Sequence, residues 1–147
     1  MMRFTLELPS PDVGDIKRAD LTVYGLDHSG PTYRVRVFFD QPDATVDTPL
    51  QSPNYVGSFT VFGHGGCFGD EGHCDVRGPV TPFDRRLPHQ LVPATRVLIC
   101  TDGVKQRVAD RHETVTVTLV PVVRESPFAD PSSDVLRVDQ ISLHTYA

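Results

Sequence analysis

The sequence predicts an all-β fold, an antiparallel β-sandwich of about seven strands with long Gly- and Pro-rich loops and little or no helix. Three observations support this prediction. Apolar and polar residues alternate with a period of two, whereas the 3.6-residue period of an amphipathic helix is nearly absent. Most of the 13 prolines and 11 glycines fall between the alternating segments, where they indicate turns. Short strands separated by such turns are typical of a sandwich or a barrel.

The first half of the chain is predicted to supply four strands. They cover residues 3–8, 19–26, 33–39 and 55–62. The turn residues at 28–31, His-Ser-Gly-Pro, predict that residues 19–39 form a hairpin. Residues 40–54 are rich in Pro, Asp and Thr, which predicts an irregular surface loop. Gly57, inside the fourth strand, predicts a β-bulge or a close approach of a neighbouring chain segment.

The second half is predicted to supply three further strands, separated by longer connections. Residues 77–93 contain four prolines and are predicted to cross the molecule in an extended form without a helix. A short apolar run at 96–100 comes next, and residues 103–109 fit a single helical turn. Thr114–Val123 has the clearest alternation in the chain, and residues 135–146 are predicted to form the last strand.

Length, composition and charge limit the kind of molecule. A chain of 147 residues suits one core, so residues 1–147 are predicted to form a single β-sandwich domain. The net charge of −5 argues against nucleic acid or an anionic membrane as a partner, because both require a basic face. No apolar run approaches the ~20 residues that span a bilayer, and the N-terminal segment lacks a signal-peptide pattern. A cytoplasmic location is therefore the default expectation.

One loop concentrates the residue types that bind metals. Residues 63–75, Gly-His-Gly-Gly-Cys-Phe-Gly-Asp-Glu-Gly-His-Cys-Asp, hold two of the three cysteines and two of the six histidines. The candidate ligands are His64, Cys67, His73 and Cys74. Thiolate and imidazole groups suit copper or zinc, although neither pair has the spacing of a zinc knuckle. His89, in the proline-rich segment, is a candidate further ligand.

Two other interpretations of this loop stay open. Its glycines permit a backbone with positive φ, and its cysteines then pack as small apolar groups in a structural turn. Alternatively, Cys67 and Cys74 form a disulfide, since the small ring that it closes is geometrically allowed. The cofactor prediction is accordingly copper or zinc, or no cofactor.

The remaining cysteine and histidines indicate no catalytic site. Cys100 ends an apolar run with no base beside it in the sequence, which favours a buried strand-end cysteine over a nucleophile. Three histidines outside the loop are predicted to be exposed or hydrogen-bonded: His28, His112 and His144. A cysteine-dependent enzyme that pairs Cys67 with His64 or His73 ranks last among the functional hypotheses, because no orienting group accompanies the pair.

Three segments together resemble a known domain. They are residues 33–42 (Tyr-Arg-Val-Arg-Val-Phe-Phe-Asp-Gln-Pro), residues 55–59 (Tyr-Val-Gly-Ser-Phe) with the His/Gly/Cys loop after them, and residues 114–121 (Thr-Val-Thr-Val-Thr-Leu-Val-Pro). In this order they resemble the C-terminal β-domain of tyrosinases, polyphenol oxidases and related type 3 copper proteins. The resemblance covers residues 33–146 and implies a β-sandwich that packs on the oxidase, covers its active-site entrance or assists copper loading.

The resemblance implies a non-catalytic accessory or lid domain, whose partner is the catalytic domain or subunit of a type 3 copper oxidase. It implies contacts from aromatic side chains, for which Phe62, Phe68 and Tyr55 are the candidates. Oxidase activity is not implied, because type 3 centres take three histidines per copper and this chain has only six in total, with no H-x3-H pair. The alternative function is a copper- or zinc-binding metallochaperone-type protein that uses the loop from His64 to Cys74.

Overall fold

Seven strands and one helix form the described part of the chain. The computed structural model describes residues 1–11, 14–64, 92–123 and 135–147. The strands are β1 (Met2–Glu7), β2 (Arg18–Leu26), β3 (Tyr33–Phe39), β4 (Tyr55–Val61), β5 (Ala94–Ile99), β6 (Thr114–Val123) and β7 (Gln140–Tyr146), and the helix α1 (Thr101–Ala109) lies between β5 and β6. The predicted all-β, antiparallel sandwich is confirmed.

Two antiparallel sheets pack against each other. The four-stranded sheet has the order β1-β6-β3-β4, and the three-stranded sheet has the order β5-β2-β7. Each edge strand of one sheet lies against an edge strand of the other, β4 against β5 and β1 against β7. The core between the sheets contains side chains from both, among them Leu21, Val23, Val35, Val37, Val117 and Leu119.

Period-two alternation explains which side chains enter this core. In β3, Tyr33, Val35 and Val37 are buried, whereas Arg34 between them is exposed. β3 and β6 begin and end at the predicted residues, and the alternating apolar side chains of each strand are buried between the sheets.

The predicted hairpin of residues 19–39 is wrong. β2 is the central strand of the three-stranded sheet, whereas β3 pairs with β4 and β6 in the other sheet. Gly25, at φ 71°, lies where the register of β2 against β5 shifts, so the strand changes direction just before it ends. The side chain of Asp27 then accepts hydrogen bonds from the backbone N–H and the hydroxyl of Ser29. The turn residues indicated a change of direction correctly, but they do not specify which strand pairs next.

The helix is longer than the single turn predicted at residues 103–109. α1 has nine residues, Thr101–Ala109, and Arg107 on its last turn is buried. The Arg107 guanidinium donates to the Asp40 carboxylate at 3.0 Å, to Asn54 Oδ1 at 2.9 Å and to the Phe39 carbonyl at 3.2 Å. These tertiary contacts support a helix that is too short to be stable alone.

The last strand begins later than predicted. β7 starts at Gln140 rather than at residue 135, and the backbone N–H of Asp139 donates to the Tyr24 carbonyl at the point where pairing with β2 begins. Residues 135–138, in contrast, have no regular secondary structure.

Gly57 has both of the predicted roles. Its φ is 144°, and the register of β3 against β4 shifts between Val37 and Phe38 beside it. A Cβ at position 57 would lie 2.9 Å from Leu98 Cδ1 on β5, which is too close for a side chain. Glycine is therefore required where the two edge strands approach each other.

The predicted surface loop at residues 40–54 covers part of the four-stranded sheet. Ala44, from this loop, is fully buried with Phe38 and Val120 in a small second cluster on the face opposite the main core. Among the described residues, no helix is both long and apolar enough to cross a membrane.

Candidate functional site

Most of the predicted metal loop lies outside the described residues. Of its candidate ligands, His64 is described, whereas Cys67, His73, Cys74 and His89 are not. The alternative of a Cys67–Cys74 disulfide also concerns residues outside the described part. Within residues 1–11, 14–64, 92–123 and 135–147, no group of three or more His, Cys, Asp or Glu side chains is close enough to hold a metal ion.

His64 lies directly against His28, a histidine that the sequence analysis did not connect with it. The two Nδ1 atoms are 3.1 Å apart, and the ring centroids are 4.9 Å apart with their planes inclined at 71°. His28 follows β2 and His64 follows β4, so strands of two different sheets bring the two rings together. His28 was predicted to be exposed or hydrogen-bonded, and it is hydrogen-bonded, but only the sheet topology makes His64 its neighbour.

Backbone contacts hold the two histidine segments together. The backbone N–H of His64 donates to the His28 carbonyl at 2.8 Å, and that of Gly63 donates to Thr32 Oγ1 at 3.0 Å. A Cβ on Gly63 would overlap the backbone of Gly30 and Pro31. Glycine at position 63 therefore allows the chain to run close enough for the rings to meet.

A carbonyl group fixes the proton on one of the two rings. The Val92 carbonyl oxygen lies 2.7 Å from His28 Nε2, and since a carbonyl only accepts, His28 must donate from Nε2. In the neutral ring, Nδ1 of His28 then carries a lone pair. The 3.1 Å contact is a hydrogen bond when Nδ1 of His64 carries a proton and donates it.

Two open clefts are present in the described part. One, of about 290 Å³, lies beside the His28 turn and is lined by Asp27, Ser29, Gly30, Pro31, Tyr33, Val135 and Arg137. In it the Tyr33 hydroxyl donates to the Asp27 carbonyl at 3.0 Å, and burial raises the pKa of Tyr33 to about 12. Tyr33 is therefore a neutral hydrogen-bond donor that supports the turn rather than an acid or base at neutral pH.

The second cleft, of about 320 Å³, lies at the start of α1, and Cys100 is among its lining residues. The side chain of Cys100 is 3% exposed, and its thiol faces the Ala19 carbonyl at 3.6 Å. Burial raises the pKa of the Cys100 thiol to about 12, so the thiolate needed of a nucleophile is not formed at neutral pH. The prediction of a buried strand-end cysteine is confirmed.

The outer face of the three-stranded sheet combines apolar, aromatic and polar side chains. The register places Val97 beside Thr22 and Ser142, and Ile99 beside Asp20 and His144. Tyr24 and Tyr146 lie on the same face. We call this surface the β5–β2–β7 face.

Comparison with known proteins gives no relative: no family model, no curated protein and no solved structure matches this chain.

Proposed function

We propose that this chain is a non-catalytic accessory domain that packs on the catalytic domain of a type 3 copper oxidase, in the same chain or in a separate one. The observation that supports the proposal best is the apolar exposure of the β5–β2–β7 face. Val97 is 53% exposed, Ile99 58% and Tyr146 52%. The two aliphatic side chains are neighbours on one face of an edge strand, and contiguous exposed apolar groups favour an interaction surface.

Several polar side chains of this face are paired with one another, so a partner can cover them at little cost. Asp20 accepts a hydrogen bond from Arg18 Nε at 2.8 Å. Ser142 Oγ lies 2.8 Å from His144 Nε2, and it donates to the Tyr24 hydroxyl at 3.4 Å. A surface whose polar side chains are already fixed loses little conformational freedom on binding. Tyrosines beside an aliphatic centre are also the composition found in protein interfaces.

The type of partner comes from the resemblance of three segments to the C-terminal domain of tyrosinase-like oxidases. The three candidate lid aromatics differ in what they contact. Tyr55 packs against Phe38 with ring centroids 5.5 Å apart, so its ring takes part in the domain's own packing. Phe62, directly after β4, is 68% exposed, which supports it as the side chain that contacts an active-site entrance. Phe68 lies outside the described residues.

The test is binding of the purified chain to a type 3 copper catalytic domain that lacks its own C-terminal β-domain, encoded in the same genome. We expect a 1:1 complex in which V97D weakens binding at least about tenfold, because it places a charge in a desolvated apolar contact. The matched control is V46D, since Val46 is 50% exposed but lies in the loop of residues 40–54. The copper-loaded chain alone should oxidise no catechol.

The binding surface and the function are tested separately. If V97D and V46D weaken binding equally, the β5–β2–β7 face is not the interface. Catechol turnover by the pure chain, or the absence of any complex with the catalytic domain, would contradict the accessory function itself.

A further inference from the structure

We propose that His28 and His64 form a binding site for a late first-row divalent cation such as Zn²⁺, coordinated by the two Nδ1 atoms. The site is separate from the β5–β2–β7 face and gives the chain a metal-binding function beyond the accessory role. It also differs from the ligand set predicted from the sequence, in which His64 was grouped with Cys67, His73 and Cys74.

The distance between the two nitrogens suits one shared ion. With Zn–N bonds of about 2.0–2.1 Å in a tetrahedral arrangement, two nitrogen ligands are about 3.3 Å apart. The Nδ1 atoms of His28 and His64 are 3.1 Å apart, close to the separation of two ligands of one ion. The ring planes are inclined at 71°, so the two rings meet edge to face and do not stack.

His28 carries its proton on Nε2, which leaves the Nδ1 lone pair available to a metal ion. Metal-bound histidines typically donate their second ring N–H to a carbonyl or a carboxylate, which fixes the tautomer and the ring orientation. His28 makes this contact through Nε2 to the Val92 carbonyl at 2.7 Å, which directs the Nδ1 lone pair towards His64. When an ion binds, the proton on Nδ1 of His64 moves to Nε2 of the same ring, so both rings remain neutral and no charge is stranded.

The site is also held in place before an ion arrives. The 2.8 Å hydrogen bond from the His64 backbone to the His28 carbonyl joins the two segments, and Asp27 closes the turn beside His28 through Ser29. A pair of ligands whose backbones are already fixed loses little conformational entropy when it chelates an ion. His64 is exposed and His28 half-buried, so solvent and ions reach the open coordination positions, which water can fill.

The other described histidines lack this arrangement. His144 contacts the hydroxyl of Ser142, and its strand neighbour Asp20 is paired with Arg18. His112 Nδ1 lies 3.7 Å from the Asp40 carboxylate, but that carboxylate already accepts from Arg107 and from the Thr116 backbone. At both of these histidines the neighbouring carboxylate is engaged by other donors of the protein, whereas the Nδ1 lone pair of His28 faces a second imidazole, which is itself a ligand type for Zn²⁺.

The experiment is a titration of the reduced full chain with Zn²⁺, followed by calorimetry, and with Co²⁺, followed by visible absorption. We expect one ion per chain, with affinity reduced at least about tenfold in H28Q and in H64Q. H144Q is the matched control, because it removes a surface histidine from a strand and should leave binding unchanged. C67S/C74S shows whether thiolates contribute, since only a cysteine ligand gives the intense sulfur-to-cobalt charge-transfer band.

Thermal unfolding separates loss of ligands from loss of fold. Without metal, H64Q should melt with the wild type, because it removes an exposed ring, and far-UV circular dichroism checks H28Q in the same way. Excess Zn²⁺ should raise the melting temperature of the wild type and of H144Q, but not that of H28Q or H64Q. Zn²⁺ binding that is unchanged in H28Q and H64Q overturns the proposal, and so does binding that requires the cysteines but neither histidine.

Discussion

Two polar junctions connect distant parts of this chain, and they differ in burial and in the kind of contact that each makes. At the first, Arg107 joins α1 to Asp40 and Asn54, and its side chain is 6% exposed. At the second, His28 and His64 join the ends of β2 and β4 in the open. At the buried junction, the guanidinium of Arg107 donates to acceptors that the fold holds in place. At the open junction, the Nδ1 lone pair of His28 faces a proton on His64 that a metal ion can replace. The comparison indicates that the first contributes stability and the second is available to a ligand.

The largest expected effect comes from breaking the buried junction. R107A should lower the free energy of unfolding by about 3 kcal/mol, because it removes a buried guanidinium that donates to the Asp40 carboxylate, to Asn54 and to the Phe39 carbonyl. Urea denaturation measures the change. The control is K105A on the same helix, since Lys105 and Asp15 form an exposed pair that is worth less than about 1 kcal/mol. Equal losses in the two variants would contradict a special role for Arg107.

Measuring Zn²⁺ affinity separates the roles of the two junctions. R107A should leave the Zn²⁺ affinity per folded molecule unchanged, because the Arg107 contacts involve neither His28 nor His64. A variant of the open junction should show the opposite pattern, with altered affinity and, for exposed His64, little change in stability.

Gly63→Ala is the next largest expected effect and acts on the open junction. The added Cβ overlaps the backbone of Gly30 and Pro31, so the two segments must separate. We expect a loss of about 2 kcal/mol in the free energy of unfolding, as for other overpacked sites, together with weaker Zn²⁺ binding as the rings move apart. G30A is the matched control, because a Cβ at position 30 would meet nothing within 4 Å. Zinc affinity retained in G63A would show that the close approach does not position the rings.

Features that neighbouring residues determine could be predicted from the sequence, whereas features that depend on distant parts of the chain could not. β3 and β6 could be predicted to the residue, since alternation along each strand determines which side is buried. Burial of Cys100 followed from the apolar run before it. Sheet membership, in contrast, depends on partners far away in the chain, so the β2–β3 hairpin was wrong and the length of α1, supported by Asp40 and Asn54, was missed.

The same limit explains the histidine pair. His28 and His64 are 36 residues apart, and their approach requires β2 and β4 to lie in different sheets whose ends meet. Because His64 lies in one loop with two cysteines and His73, the sequence predicted ligands close to it in the chain. It did not predict a neighbour that the fold brings from another strand. Gly63 was the one sequence feature that indicated a close approach at this point. The fold shows that the approaching segment is Gly30 and Pro31, beside His28.

The smallest expected effect at neutral pH concerns two buried groups that keep their protons there in both the folded and the unfolded chain, so that they change stability only in alkali. Burial raises the pKa of Tyr33 from 10.0 to about 12 and that of Cys100 from 9.0 to about 12. The unfolded chain therefore loses these protons first. The stability that they contribute is complete below pH 9 and is lost as the pH rises towards 12. Urea denaturation between pH 8 and 11 should show a progressive fall in the free energy of unfolding.

Two variants show how much Tyr33 and Cys100 each contribute to the alkaline loss of stability. Y33F removes the ionisable hydroxyl that supports the turn before His28 and should flatten the profile above pH 10, whereas C100A should flatten it from pH 9. Because Tyr33 donates to the Asp27 carbonyl beside the open junction, Y33F should also weaken Zn²⁺ binding slightly, while C100A should not. An alkaline profile that neither substitution changes would mean that both groups ionise as freely in the folded chain as in the unfolded one.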